Sequence, residues 1–447
     1  MSTSKGERII SQATIEQLST DVEIPPMGLI EQLWERNPLT GEDIGAATET
    51  AVSAMDLENL PLGSEIAVGV GSRGISNLRH IVTGVVRSLQ DRGYEPFVFP
   101  AMGSHGGATS SGQVRVLDDY GIAEANVGCP IRATMETERI GTGRTFDVPV
   151  YADANACSAD AIMVINRVKP HTSFTGRVES GLSKMLVIGM GKQRGAKMAH
   201  EFALDWSFRK MIPEIASVII EELPVIGGVA IVEDQEDETE SIEGVPASAF
   251  LDREAELLQR AYENLPRLPF SDLDVVIFDR MGKDISGAGM DTNVTGRIYA
   301  FNEPSPESPN IRRIYTRSLT PASHGNATGI GQAEFIHQQL FKQVDVTDTV
   351  INAVTAGSVE NARIPTVVET DYAGLAACIS TVGVRSLDEL KIIRATDTAH
   401  LRRFYASPAL VEKASDRADL RVLQNPEPIE WNHGDFVAPS PTSLHEG

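Results

Sequence analysis

Strand-length apolar runs at residues 65–70, 96–100, 161–168 and 225–232 alternate with segments of helical period at 78–91, 113–120, 197–222 and 247–263. That alternation predicts helices covering a largely parallel sheet. Pro213 predicts a kink or break within 197–222. A Pro-containing stretch at 264–270 interrupts the pattern, and a fresh strand at 274–278 begins beyond it. Further strands are expected at 312–315 and 391–393, with helices at 331–339, 345–353 and 371–380. The expected organisation is therefore α/β, with one domain over 1–268 and a second over 269–447. The acidic stretch 233–243 reads as a solvated loop, and the Pro-rich end from 424 reads as a peripheral arm or frayed tail.

A length of 447 residues, 41% apolar and 23% charged, suits a globular chain of two or three domains. The formal net charge of −23 has the wrong sign for binding nucleic acid or anionic lipid, so neither is an expected partner. Small anions stay open, because a few local cations can hold one. Cys129, Cys157 and Cys378 are too few and scattered for a disulfide framework or a Cys-rich metal site, which fits a reducing compartment. The first residues carry no apolar signal core and no run reaches membrane-spanning length, so a cytoplasmic location is expected.

Three places combine small residues, a strand end and ionisable groups. Gly69, Gly71 and Gly74 match G-x-G-x-x-G, but no acidic residue closes a following strand where a ribose would need one. Ser72, Arg73 and Gly74 nevertheless offer free N–H groups and a guanidinium to a phosphate or carboxylate. The second place sets His105 among Gly103, Gly106 and Gly107, ahead of a helix that Thr109 or Ser110 could cap. The third runs from Asn166 through Lys169, His171, Glu179 and Lys184 to Lys192 and His200. The strand at 161–165 should deliver Lys169 and His171 to the carboxyl edge of a parallel sheet, where ligands of open α/β folds bind. Lys184, with apolar residues after it, suits a partly desolvated amine, and His200 suits a metal ligand or a plain helix-surface histidine. Zinc-protease, Walker A, paired CxxC and G-x-S-x-G elements do not occur.

The ordered set of Ser72-Arg73, Gly103-Ser-His-Gly-Gly107, Asn166-Arg-Val-Lys-Pro-His171 and Ser180-Gly-Leu-Ser-Lys184, with a histidine sixteen residues on, resembles the lactate racemase family, which uses a nickel-pincer nucleotide. The resemblance implies two α/β domains with mainly parallel sheets and an active-site cleft between them, the first binding cofactor and the second contributing to the substrate cleft. It implies that Lys184 holds the pyridinium-3,5-bisthiocarboxylic acid mononucleotide through a thioamide, and that His200 ligates nickel. His105 and His171 become the acid/base pair, and Arg73 lies near the substrate carboxylate. The expected partners are a small 2-hydroxy acid and the enzymes that make the cofactor, and a homo-oligomer stays open.

Departures from the family are informative. Val70 stands where the family has an acidic residue, and Gly289 and Thr292 stand where lactate racemases have glutamine and lysine. The interval from His171 to Lys184 is about three residues longer. Lactate itself is therefore not the expected substrate; Asp291, Asn293 and Arg297 would offer hydrogen bonds and a cation to a different hydroxy acid, with Lys169 contributing from the first domain. Two rival readings stand beside this one: a lyase or dehydratase with a Schiff-base or general-base lysine, and a non-catalytic anion-binding protein. Trp206 and Phe208 read as core, His324 as a loop residue without a partner in view, and His433 and His445 as tail.

Overall fold

The computed structural model describes residues 8–19, 22–71, 74–301 and 303–443. The chain forms two compact units, one of residues 36–265 and one joining the segment up to Glu35 with everything from Pro266 onward. The expected division at 268 thus misplaced the N-terminal segment. The reason is strand pairing. Met27–Gln32 is buried along its whole length and lies antiparallel between Arg403–Ala406 and Leu420–Glu427.

In the unit of residues 36–265, five strands run in the order Glu95–Pro100, Glu65–Val70, Ala161–Arg167, Val225–Glu233 and Thr239–Pro246. The first four are parallel and the last is antiparallel. Side chains alternate between two cores: Ile66, Val68 and Val70 join Met163 and Ile165 on one face, while Ala67 joins Ile162 and Val164 on the other. Burial on both faces explains why these strands read as nearly unbroken apolar runs. Helix Leu78–Asp91 buries Leu78, Ile81, Val82, Val85 and Leu89 against the first core, the spacing of a single helix face. Helices Lys192–Trp206 and Phe208–Glu222 cover the opposite face. The connections leaving Glu65–Val70 and its neighbour Ala161–Arg167 therefore diverge, and open sheets bind ligands at such a switch point.

Two local expectations are corrected in this unit. The helix break falls at Ser207, whose φ is +77, and Pro213 lies within the second helix. The acidic stretch is a hairpin rather than a loop, because Thr239–Pro246 pairs with Val225–Glu233. Its charges meet Arg36, Arg167, Arg253 and Arg260.

The other unit carries nine strands in the order Ile9–Ile10, Thr366–Val368, Phe335–His337, Asn310–Thr316, Asp272–Phe278, Ile392–Ala395, Arg403–Ala406, Met27–Gln32 and Leu420–Glu427. The first six are parallel, and antiparallel pairing begins at Arg403–Ala406. A helix was expected at 331–339; instead Phe335–His337 is a strand, because neighbours on both sides pair with it and that pairing overrides its local period. Of the two readings of the C-terminal end, the described residues up to Ser443 form an arm rather than a frayed tail, with Leu420–Glu427 as an edge strand and Trp431 stacked on Phe436 at 5.0 Å. No helix among the described residues is long and apolar enough to cross a membrane.

Candidate functional site

Three loops leave the carboxyl ends of adjacent parallel strands in the unit of residues 36–265, and they carry the residues singled out from sequence. The first begins at Gly71. A methyl group there would lie 2.9 Å from Met185 Cε and 3.6 Å from Asn166 Oδ1, so glycine permits the close approach of this loop to the other two elements. Ser72 and Arg73 lie outside the described residues, and Gly74 is exposed with open space around it.

The second loop presents His105 at the surface. Gly103, with φ of +58, donates its N–H to the Gly189 carbonyl at 3.0 Å. Gln113 Nε2 donates to the Gly103 carbonyl at 3.0 Å and to that of His105 at 3.4 Å. Thr109 caps the following helix Ser110–Asp119 by accepting from Gly112 N–H. Beneath the loop is Lys192, fully buried, with Nζ 2.9 Å from Asp153 and donating to Gln113 Oε1 at 3.1 Å and to the Pro100 carbonyl. Burial holds this ammonium below the usual lysine pKa, and Asp153 opposes that shift. The ion pair, through Gln113, sets the height of the His105 loop.

The third loop follows Ala161–Arg167 and folds back on itself. Asn166 Nδ2 donates to the Gly181 carbonyl at 2.8 Å, and Lys169, half-buried, exchanges backbone hydrogen bonds with Ser180 at 2.8 and 3.2 Å. His171 donates its backbone N–H to Glu179 Oε2 at 2.6 Å, and its Nδ1 accepts from Ser173 N–H at 3.0 Å. That acceptor role assigns the proton of the neutral ring to Nε2. Glu179 Oε1 accepts from Gly176 N–H and the Tyr262 hydroxyl, each at 2.9 Å. Burial nevertheless pushes the Glu179 carboxyl up to about 7, against those bonds and the nearby Lys184 charge.

Lys184 ends the short helix Leu182–Lys184 and runs directly into a turn of π-helix, Met185–Gly189, before the helix that carries His200. Such turns recur at functional sites because the extra residue re-aims the side chains around it. Below it, Glu254 is buried and accepts from Ser183 N–H at 2.9 Å and from the Ser183 hydroxyl; burial pushes this carboxyl up to about 7 as well. A side chain at Gly181 would overlap Glu254 Oε1, so glycine is required where the two meet.

His200 keeps part of its surface open to solvent, yet the protein packed around its ring, and then the Lys184 charge, hold its pKa below the usual imidazole value. Its ring nitrogens make no hydrogen bond among the described residues. An aromatic ladder links it to the other histidine: His171 stacks on Phe174 at 4.5 Å, Phe174 on Phe208 at 5.6 Å, and Phe208 meets the His200 ring edge-on at 5.3 Å. Trp206 is core as expected, but Phe208 is only partly buried and belongs to this ladder.

The candidates beyond residue 266 have other duties. Asp291 caps the turn Thr292–Thr295 and accepts from Asn293 N–H and Nδ2 at 2.9 and 3.0 Å. Arg297 is turned inward, 2.8 Å from Glu334 and donating to the carbonyls of Ile311 and Gln332. Gly289 has φ of +75, and a side chain there would overlap the Thr328 carbonyl oxygen, so backbone packing closes this position to any side chain. Among the described residues, His337, Asp371 and Asp435 form a group of metal-type donors. Both Asp371 oxygens are already taken by Arg317 at 2.7 and 2.6 Å, with Tyr315 and Phe436 N–H adding further bonds, so the cluster is a closed hydrogen-bond network.

Glu254, Tyr262, Phe174, Asp153 and Gln113 were not read as functional from sequence. Glu254 left a signal, being a charge on the apolar stripe of helix Phe250–Glu263 between Phe250 and Leu257. The others depend on contacts between distant segments.

No protein-family model matches the chain, and no curated protein matches it. Solved structures do. A structural-genomics protein from Thermotoga maritima is similar with a TM-score of 0.49 and 15% identity, over 74% of this chain and 84% of that one. The lactate racemase apoprotein from Thermoanaerobacterium thermosaccharolyticum is similar with a TM-score of 0.42 and 12% identity, over 83% of this chain and 89% of that one.

Proposed function

We propose that this protein is an isomerase that inverts the α-carbon of a 2-hydroxy acid other than lactate, with a nickel-pincer nucleotide attached to Lys184 and ligated by His200. One observation carries the reading. The Lys184 ammonium lies within electrostatic reach of both Glu179 and His200, and Glu179 in turn holds the backbone of His171, so a potential anchor, ligand and base gather around one amine. The residues fit the group: His200 has a depressed pKa and no hydrogen bond to its ring nitrogens among the described residues, the state in which imidazole donates to a metal.

Once bound, the cofactor supplies a hydride acceptor beside a metal. The chain supplies the proton chemistry and the orientation. One imidazole of the pair His105 and His171 takes the substrate hydroxyl proton, and the other does so for the opposite enantiomer; near-neutral imidazole pKa values suit traffic in both directions. Arg73 and Lys169 are assigned to the substrate carboxylate, and Ser72 and Gly74 to backbone contacts with the cofactor.

The test is intact-protein mass and metal analysis after co-expression with the cofactor-making enzymes. The expected result is a mass increase on the peptide containing Lys184 together with bound nickel, both lost in Lys184→Ala, and loss of nickel in His200→Ala. Turnover by unmodified, nickel-free protein would overturn the proposal. So would borohydride trapping of a keto acid on Lys184, which would assign that amine to Schiff-base chemistry.

A further inference from the structure

The nine-stranded sheet has a switch point of its own. From Asp272–Phe278 the chain leads to Asn310–Thr316 on one side, whereas from the parallel neighbour Ile392–Ala395 it leads to Arg403–Ala406 on the other. Directly beyond the carboxyl ends of these two strands lies an open cavity of about 460 Å³, within the range of small-molecule sites. Its lining contains no aromatic or aliphatic side chain, which removes any stacking surface for a nucleobase.

The wall has a definite hydrogen-bonding character. Asp279 is saturated: Arg317 at 2.8 Å and Arg394 at 2.9 Å engage Oδ1, while Arg394 at 3.2 Å and the Ser440 hydroxyl at 2.7 Å engage Oδ2. Arg317 is in turn held by Asp371. Neither group therefore adds a net charge to the cavity. Ser318 donates its hydroxyl proton to the Asp279 carbonyl at 2.7 Å, which leaves its oxygen as an acceptor; Ser440 donates its own to Asp279 and lies 2.8 Å from Thr396 Oγ1, which leaves it one further lone pair. Thr396, at the strand end, is itself saturated by Ser440 at 2.8 Å, the Thr442 hydroxyl at 2.6 Å and the Thr442 N–H at 3.1 Å, and it holds Thr442 of the C-terminal arm in the hydroxyl wall.

Arg280 is the exception. Its Nε donates to the buried Asp397 at 2.7 Å, which orients the guanidinium, while 42% of its side chain is exposed and its outer nitrogens have no partner among the described residues. Asp397 is steadied on its other side by His400 Nδ1 at 2.8 and 2.9 Å. A ligand that matches this wall brings one planar anion to a single oriented fork and several O–H donors to acceptor oxygens. Phosphate dianions bring acceptors only and call for more than one cation.

We propose that this cavity is a binding site for a polyhydroxylated monocarboxylate of the sugar-acid class, with Arg280 on the carboxylate and Ser318, Ser440 and Thr442 on the hydroxyls. The inference stands apart from the reading of Lys184 and His200, and Lys184→Ala protein serves to keep the two separate.

The test is calorimetric titration of full-length protein and of Lys184→Ala with D-gluconate, D-sorbitol, propionate and inorganic phosphate. Saturable gluconate binding is expected in both proteins, weakened about tenfold or more in Arg280→Gln and in Ser440→Ala, with sorbitol and propionate each at least about tenfold weaker. Ser440→Ala guards against a folding defect from disturbing Asp397, and thermal unfolding of each variant checks that it is folded. Absence of gluconate binding at millimolar concentration, unchanged affinity in both folded variants, or phosphate binding tighter than gluconate would each overturn the proposal.

Discussion

Replacing Glu254 with glutamine isolates the cost of a buried acid beneath Lys184. The carboxyl is fully buried, accepts from Ser183, and has its pKa pushed from 4.5 to about 7. A raised acid pKa means the folded state favours the protonated form. This group therefore costs nothing below about pH 4.5, becomes increasingly costly between there and 7, and imposes a constant penalty above. At 1.36 kcal/mol per pKa step, that penalty is about 3 kcal/mol at pH 8. Glutamine keeps the carbonyl oxygen that accepts from Ser183 N–H, and it cannot ionise. Urea unfolding at pH 5 and pH 8 is the assay. Glu254→Gln should match the parent at pH 5 within about 1 kcal/mol and exceed it at pH 8 by about 2–3 kcal/mol, with an unchanged denaturant slope. A stability difference that is the same at both pH values would refute the reasoning, since it would show the carboxyl titrating alike in folded and unfolded chains.

Two further substitutions probe other parts of the molecule. Lys184→Gln removes a cation that holds the His200 pKa down, so an NMR titration of that imidazole should move upward; an unmoved midpoint would mean the two side chains do not share a site. Gly289→Gln meets both a positive φ and the Thr328 carbonyl, and should lower stability by about 2 kcal/mol or more in chemical denaturation. A fully stable variant would show that the loop adapts.

Much of the unit of residues 36–265 was legible because its strands are buried on both faces and its helices on one, which writes two distinct periods into the sequence. The motifs were legible for a related reason: glycines and histidines just after such strands fall at the edge where open sheets bind ligands. Where reading failed, long-range pairing had won over local preference. Phe335–His337 carries a weak helical period yet completes a row of parallel strands, and Met27–Gln32 pairs with two strands that follow it by hundreds of residues. Arg297 has the composition of a ligand-binding cation, and only the fold reveals that Glu334 and two carbonyls hold it.

The amino-acid order alone determined the α/β class and the strand-end placement of Gly71, His105 and His171. Each of these follows from local period and spacing, which act over a few residues. The tertiary structure alone decided that burial raises the pKa of Glu179 and of Glu254, that Phe174 and Phe208 bridge the two histidines, and that Arg280 faces a hydroxyl-lined cavity. Those properties come from desolvation and from contacts between segments far apart in the chain, and neither is visible until the chain has closed on itself.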